Sequence, residues 1–487
     1  MSDRVLSRSA TDTRAAAPVR IVHLGLGAFH RAHQAWYTDR VDAAGEWGIA
    51  AFTGRAPAAA ERLAAQDGLF TLIVRSEHDD RMELVQSISE AVDGADLERL
   101  GALVAQPATA LVTLTITESG YHLGADGELD RAHPQIEADL RMLRAAGDDA
   151  SAPPVTTALA RLVVALDARR RAKSGPIAVV PCDNLSHNGD AARRVLLAIA
   201  NEWNPGRDGG LAGWIAATVS FVSTSVDRIT PRTTPDDLAA VERETGVRDE
   251  MAVVTEPFSN WILAGGFPLG RPPWELAGAL VVDDIEPFEN RKLWLLNGAH
   301  SLLAYVGLVR GSATVAEAFA DDAVRGWVEE LWQQAGAHLI DERLDVGAYL
   351  DGVRGRFRNP RIAHHLAQIA VDGSGKLRTR VVALIDAERA AGRSGSGMLR
   401  AVAAWVGWLE ARRRGGALDG LDGLDSLDDS AADDIRRILG GPDDERVPGL
   451  LGLLSPAWAG DHDLQRLVRE LADDIPLTRT NLQENPA

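Results

Sequence analysis

The sequence predicts a doubly wound α/β domain followed by a mostly helical domain. Short apolar runs alternate with helical stretches up to about residue 285, and such alternation builds a sheet covered by helices on both faces. Beyond that point the runs disappear, and long helical patterns such as 327–339, 377–393 and 401–414 take over. A chain of 487 residues is also too long for one ordinary core. The expected division is a disordered lead-in over 1–18, a dinucleotide-binding domain over 19–285 and a helical domain over 286–487.

The elements follow in order. Val19 to Leu26 reads as a first strand, closed by Gly25-Leu26-Gly27, with a helix after the turn. Trp47 to Thr53 is a second strand, then Phe70–Val74, Ala110–Ile116, Ile177–Val180 and Ala279–Val282. The first 18 residues mix Asp3 and Asp12 with arginines and lack a long apolar stretch, unlike a secretory signal. No apolar run reaches membrane-spanning length, so a cytoplasmic location is expected.

Composition removes several function classes. The net charge of −19 argues against nucleic acid or an anionic membrane as partner, though not against a small anionic substrate in a local basic pocket. Cys182 is the only cysteine, so neither an intramolecular disulfide nor a thiolate-rich zinc site is available. The stretch 418–429 repeats Leu-Asp-Gly with a period of three; it lacks the doubled glycines of a calcium-binding β-roll and reads as an acidic surface insertion.

Two local patterns carry chemistry. Gly25-x-Gly27 directly after a strand suits a dinucleotide pyrophosphate, because the first glycine permits the turn, the second admits the phosphate and a helix N-terminus faces the charge. The third fingerprint position is His30, so the same pattern also describes a simple tight turn. His30 and His33 have no ligand set around them in the sequence; anion contact or helix capping is expected of them, and no metal. After the second strand an acidic residue would mark NAD, but the stretch is Thr53-Gly54-Arg55-Ala56-Pro57. Arg55 suits either the 2′-phosphate of NADP or plain solvent, which leaves both cofactors open.

The second pattern is Lys292-Leu-Trp-Leu-Leu-Asn297-Gly-Ala-His300. Spacings of five and three put the three polar side chains on roughly one helical face, within apolar surroundings that shield it. Burial disfavours an ammonium, so Lys292 becomes a candidate general base with Asn297 and His300 beside it. A lysine snorkelling out of a buried helix fits the triplet too.

His30-Arg31-Ala32-His33-Gln34, Thr115 to Tyr121, Cys182-Asp183-Asn184-Leu185, Val226 to Pro231 and Lys292…Asn297-Gly298…His300 occur in that order. Together they resemble the mannitol dehydrogenase family of polyol-specific long-chain dehydrogenases, fructuronate reductases included. The resemblance runs from about residue 20 to the last helices. It implies a zinc-independent enzyme with a Rossmann-like domain, a helical domain and an active site in the cleft. It makes Lys292 the general acid/base, Asn184 and Asn297 an oxyanion hole, His300 a ligand of substrate hydroxyls and Glu289 a proton conductor. The cofactor set is Gly25, Gly27, Phe29, His30, Arg31, Arg55 and Glu118, with NAD expected and NADP open. Asp227 and Lys376 join Asn184 and His300 on the substrate side; for Glu118 and Asp227 a structural hydrogen bond serves equally.

Substrate choice falls to the helical domain. Some mannitol dehydrogenases carry an arginine eight residues before the lysine matching Lys376, where this chain has Gln368. That departure shifts the resemblance toward fructuronate reductases. Lys376, Arg378 and Arg380 suit a carboxylate or phosphate, or form an ordinary solvated patch. The expected reaction interconverts mannitol and fructose, then mannonate and fructuronate, then mannitol 1-phosphate and fructose 6-phosphate. A nucleotide-binding sensor without catalysis is the reading from another class. The Tyr-x-x-x-Lys pair of short-chain dehydrogenases is absent, since Tyr37, Tyr121, Tyr305 and Tyr349 have no lysine four residues on.

Overall fold

A computed structural model describes residues 4–9, 11, 13–54, 56–146, 153–204, 210–414 and 423–475. The chain divides into two compact units, Met1–Glu286 and Pro287–Ala487. The first is built on a six-stranded parallel sheet made from β1 (Val19–Leu24), β2 (Gly48–Phe52), β5 (Ile88–Val92), β6 (Leu111–Leu114), β7 (Ile177–Pro181) and β8 (Val219–Phe221). Their spatial order is β5-β2-β1-β6-β7-β8, with every neighbouring pair parallel. Counted within this sheet, that is the 3-2-1-4-5-6 order of dinucleotide-binding folds, which reverses direction between β1 and β6.

Strand alternation explains why both faces are covered. Val22 and Leu24 join one core with Leu103, Leu159 and Leu166, while Ile21 joins the opposite core with Ala32, Tyr37 and Trp261. A parallel sheet buried on two sides reads as the near-continuous apolar runs seen in the sequence.

Two expected strands lie elsewhere. β3 (Phe70–Arg75) pairs antiparallel with β4 (Asp80–Val85) and parallel with β10 (Val253–Thr255), forming a separate sheet. β12 (Leu280–Val282) edges a third sheet beside β11 (Asn260–Ala264) and β9 (Ser223–Asp227). An apolar run marks a strand but not its partner. Pairing is set by non-local register.

The lead-in expectation fails where the chain is described. Leu6 is buried against Leu69 and Val247, Val5 bridges to Arg248, and the Arg8 guanidinium donates to the carbonyls of Arg14, Gln86 and Ile88. A segment of low apolar content is anchored by one leucine and one arginine.

The second unit is helical in all its described residues outside loops and one isolated bridge. Gly298–Val309 runs through its centre, buried along nearly its whole length, and packs on Ser396–Arg413. The single helix expected over 377–393 is two, Gly373–Arg380 and Val382–Ala390, broken at Val381 (φ −131°, ψ −23°). Among the described residues no helix is long and apolar enough to cross a membrane.

Candidate active-site elements

The glycine turn sits at the sheet's reversal point. Gly25 has φ +111°, and a Cβ there would stand 2.0 Å from the Thr115 carbonyl oxygen at the end of β6. Only glycine fits this crossing. The N–H groups of Gly25 and Leu26 both donate to the Phe52 carbonyl at 2.9 and 2.8 Å, which fastens the turn to β2. A Cβ on Gly27 would meet only the Gly25 carbonyl at 3.6 Å, so the turn's outer side is free of side chains within that reach. The cradle fits a pyrophosphate.

Beneath the turn lies a histidine that the sequence reading passed over. His23, fully buried in β1, has Nδ1 2.8 Å from Thr113 Oγ1 and Nε2 3.0 Å from Thr115 Oγ1. Thr115 gives its own proton to the Gly25 carbonyl at 2.8 Å, so His23 Nε2 carries the hydrogen that completes the chain. Burial holds the imidazole neutral, with its pKa down to about 3. Its signal in the sequence is an imidazole set between Val22 and Leu24 inside a strand run.

His30 stacks on His23 with centroids 3.4 Å apart and is fully buried. Burial, and then the neighbouring His23, keep it neutral as well. His33 is buried too, its Nε2 3.0 Å from the Asn260 carbonyl oxygen. The anion contact expected of this pair therefore gives way to packing under the turn. Arg31 likewise points inward, donating from Nε to the Gly27 carbonyl at 3.2 Å and from Nη1 to that of Met251. Of the residues expected at the cofactor, Gly25, Gly27 and Phe29 are half-buried and Glu118 is exposed, whereas Arg55 lies outside the described residues.

The Thr115–Tyr121 and Cys182–Leu185 motifs meet through Asp183. Its carboxylate accepts from the Thr117 N–H and the Tyr121 hydroxyl, both at 2.8 Å, and holds Thr117 at φ +67°. Burial raises the Asp183 pKa to about 6. Asn184 follows it, exposed, just past the C-terminal end of β7. Asn188 fixes the same loop, donating to the carbonyls of Asp183 and Thr224 and accepting from the Thr224 N–H. Both supports fell outside the expected set because their value depends on loop contacts 36 to 66 residues away. Asp227, half-buried, ends β9.

In the second unit Lys292–Asn297 forms a π-helix that runs into the α-helix Gly298–Val309. This corrects the face argument. In an α-helix five residues turn the chain by about 140° past a full revolution, which would separate Lys292 from Asn297. A π turn closes on i→i+5 bonds and brings the fifth residue back over the first. His300 then follows at the ordinary three-residue α spacing. A second π stretch, Arg31–Ala35, lies in the other histidine motif. In each, another element's side chain donates to a carbonyl: Arg228 Nη1 to Ala32 at 2.6 Å, and Trp332 Nε1 to Leu295 at 2.8 Å.

Lys292, Leu293, Trp294 and Asn297 are half-buried while Leu295 and Leu296 are buried, so shielding is less complete than the apolar run implied. Glu289, also half-buried, lies three residues before the lysine. His300 is buried, its Nε2 makes no hydrogen bond, and its ring meets His364 edge-on at 4.9 Å. Burial, then His364, Arg356, Arg380 and Lys292, drive its pKa well below the usual imidazole value. Arg380 donates to the Asn297 carbonyl at 3.1 Å and to Ser301 Oγ at 2.9 Å. Lys376 Nζ donates to the Ile369 carbonyl at 3.1 Å, Arg378 donates to that of Leu453, and Gln368 is exposed. The basic trio is thus split among three tasks. Among the described residues no group of three or more His, Cys, Asp or Glu side chains is placed to hold a metal.

Comparison with known proteins agrees with this architecture. Residues 19–276 match the mannitol dehydrogenase Rossmann domain and residues 284–436 the mannitol dehydrogenase C-terminal domain. The chain is 37% identical over 445 residues to the uncharacterized oxidoreductase YeiQ of Escherichia coli, covering 89% of this chain and 87% of that one. It is 36% identical to the D-mannonate oxidoreductase of the same organism, over 82% of each chain. The structure of Pseudomonas fluorescens mannitol 2-dehydrogenase, a ternary complex with NAD and D-mannitol, superposes with a TM-score of 0.76 at 31% identity, covering 97% of this chain and 94% of that one. A Rossmann-like unit ordered 3-2-1-4-5-6, a helical unit after it, and family matches across both together place this chain in the mannitol dehydrogenase family of oxidoreductases.

Proposed function

We propose that the protein is an NAD-dependent dehydrogenase, with NADP also open to it, that interconverts a hexitol-type polyol and its ketose, with Lys292 as general acid/base. The observation that carries this reading is the π-helix Lys292–Asn297, whose i→i+5 closure supports Lys292 and Asn297 sharing a side, followed by a His300 that burial holds neutral. A nicotinamide dinucleotide, when bound, supplies or accepts the hydride. Gly25 and Gly27 would hold its pyrophosphate, with Phe29 and Glu118 on the cofactor side. In the oxidative direction neutral Lys292 takes the carbinol proton, and in the reductive direction it returns it. The amides of Asn297 and, by its family motif, Asn184 donate to the oxygen as its charge develops. His300 meets a substrate hydroxyl without adding charge. Glu289 relays the proton outward, and Asp227 and Lys376 serve substrate binding.

A second reading, oxidation of a sugar acid such as mannonate, is favoured by one observation. Two guanidiniums, those of Arg356 and Arg380, act on His300 as positive charges, which suits a carboxylate beside it. Similarity to the D-mannonate oxidoreductase supports it too.

Reduction rates with D-fructose, D-fructuronate and D-fructose 6-phosphate, each with NADH and with NADPH, decide among the substrates. Lys292→Ala tests the chemistry. Turnover should fall by about three orders of magnitude or more while NADH binding persists. Unchanged turnover would remove Lys292 from the mechanism, and no turnover by the wild type on any polyol would favour the non-catalytic sensor.

A further inference from the structure

The acidic stretch expected to be a surface insertion is tied to a neighbouring helix where it is described, over residues 423–429. Ser374, fully buried, donates its N–H to Asp429 Oδ2 at 2.9 Å and its hydroxyl to Oδ1. The Asp372 N–H donates to the Asp428 carbonyl at 2.8 Å, and the Ser430 N–H returns to Asp372 Oδ1 at 3.0 Å. Four hydrogen bonds therefore join this segment to the start of the helix Gly373–Arg380. The carboxylate also stands at that helix's positive end, where a negative charge is favoured.

The helix is pinned from below as well. A Cβ on Gly373 would stand 2.3 Å from the Tyr305 hydroxyl and 2.8 Å from Trp405 Nε1, so this residue lies directly on the unit's central helices. Asp372, at φ +52°, takes a left-handed conformation to make the entry. Lys376 lies one turn in. Burial and then Arg380 lower its pKa, while Asp372, Asp428 and Asp429 pull the other way. At the far end Arg380 holds the Asn297 carbonyl and Ser301. One eight-residue helix, roughly 12 Å long, thus runs from the Asp429 carboxylate to the turn that carries Asn297.

We propose that Asp429 is a positioning residue: by fixing the N-terminus of Gly373–Arg380 it sets where Lys376 and Arg380 stand relative to the Lys292–His300 turn. A merely structural carboxylate would affect stability alone. The proposal rests on the reading that Lys376 meets the sugar.

The test compares steady-state constants of Asp429→Ala, Ser374→Ala and Lys376→Met, using whichever of D-fructose and D-fructuronate the wild type reduces with NADH. Asp461→Ala is the control, because Asp461 caps the helix His462–Asp473 and pairs with Arg389 without touching Gly373–Arg380. Asp429→Ala should raise the sugar KM about tenfold with the NADH KM unchanged, and Ser374→Ala should shift it the same way by less. Asp461→Ala should lower the melting temperature with the sugar KM unmoved. If Asp429→Ala and Ser374→Ala behave like the control while Lys376→Met raises the sugar KM, the proposal fails and the Lys376 reading stands. If Lys376→Met leaves the sugar KM alone, that reading fails and takes the proposal with it. Should Asp429→Ala not fold, Ser374→Ala decides by the same criterion.

Discussion

Single side chains in this protein act mostly through what burial does to their charge. His23 is held neutral beneath the glycine turn, with a pKa near 3 against an ordinary value of 6.5. Between those values the unfolded chain binds a proton that the folded chain refuses, so stability rises with pH through this window and is lost as pH falls from 6.5 toward 3. At pH 4.5 the loss from this one group is about 3 kcal/mol. Urea unfolding of wild type and His23→Gln at pH 7.5 and 4.5 checks it: the acid-dependent loss should be smaller in the variant by roughly that amount. An equal loss in both would place acid sensitivity elsewhere. His30 was legible only as part of a motif. Its stacking on His23, and so its inward role, depends on β1 and the following helix meeting face to face.

Elements were legible to the extent that their periodicity is local. The strand runs at 19–26, 47–53, 110–116 and 177–180 all became strands of the main sheet, whereas 70–74 and 279–282 became strands of other sheets. The π turns could not be read, because a five-residue spacing has no meaning on an α-helix. They persist because other elements satisfy their carbonyls. Arg228, buried and stacked over Trp36, donates to both Ala32 and Glu256 carbonyls. Arg228→Met should therefore remove one hydrogen bond from each of two carbonyls and cost about 2–4 kcal/mol, read as a shift of the urea midpoint. A change under about 0.5 kcal/mol would show that this arginine does not support the π turn.

At the scale of the molecule, the proposed function assigns the two units different tasks. If the first holds a dinucleotide at the glycine turn, NADH should stabilise it by mass action, about 2.7 kcal/mol at a hundredfold excess over Kd. A Gly25→Ala variant, strained at φ +111° and blocked by Thr115, should lose this response. Calorimetric melts with and without NADH test both expectations; a wild type that does not respond would argue against cofactor binding at this turn. Activity should survive EDTA, since the proposed proton transfer uses an amine and amides in place of a metal; abolition by the chelator, restored by zinc, would overturn that.

By itself the sequence determined the α/β-then-helical order, the glycine turn and the family motifs, because each is written in short-range pattern: short continuous apolar runs, a G-x-G spacing, a Lys-Asn-His run. Only the tertiary structure decided which residues of those motifs face inward. It turned Arg31, His30 and His33 into the core, made Asp183 the link between two motifs 66 residues apart and bound Asp429 to the helix carrying Lys376. These roles arise from hydrogen bonds between distant segments. A buried donor or acceptor must find its partner wherever the fold brings one, and no local pattern encodes that choice.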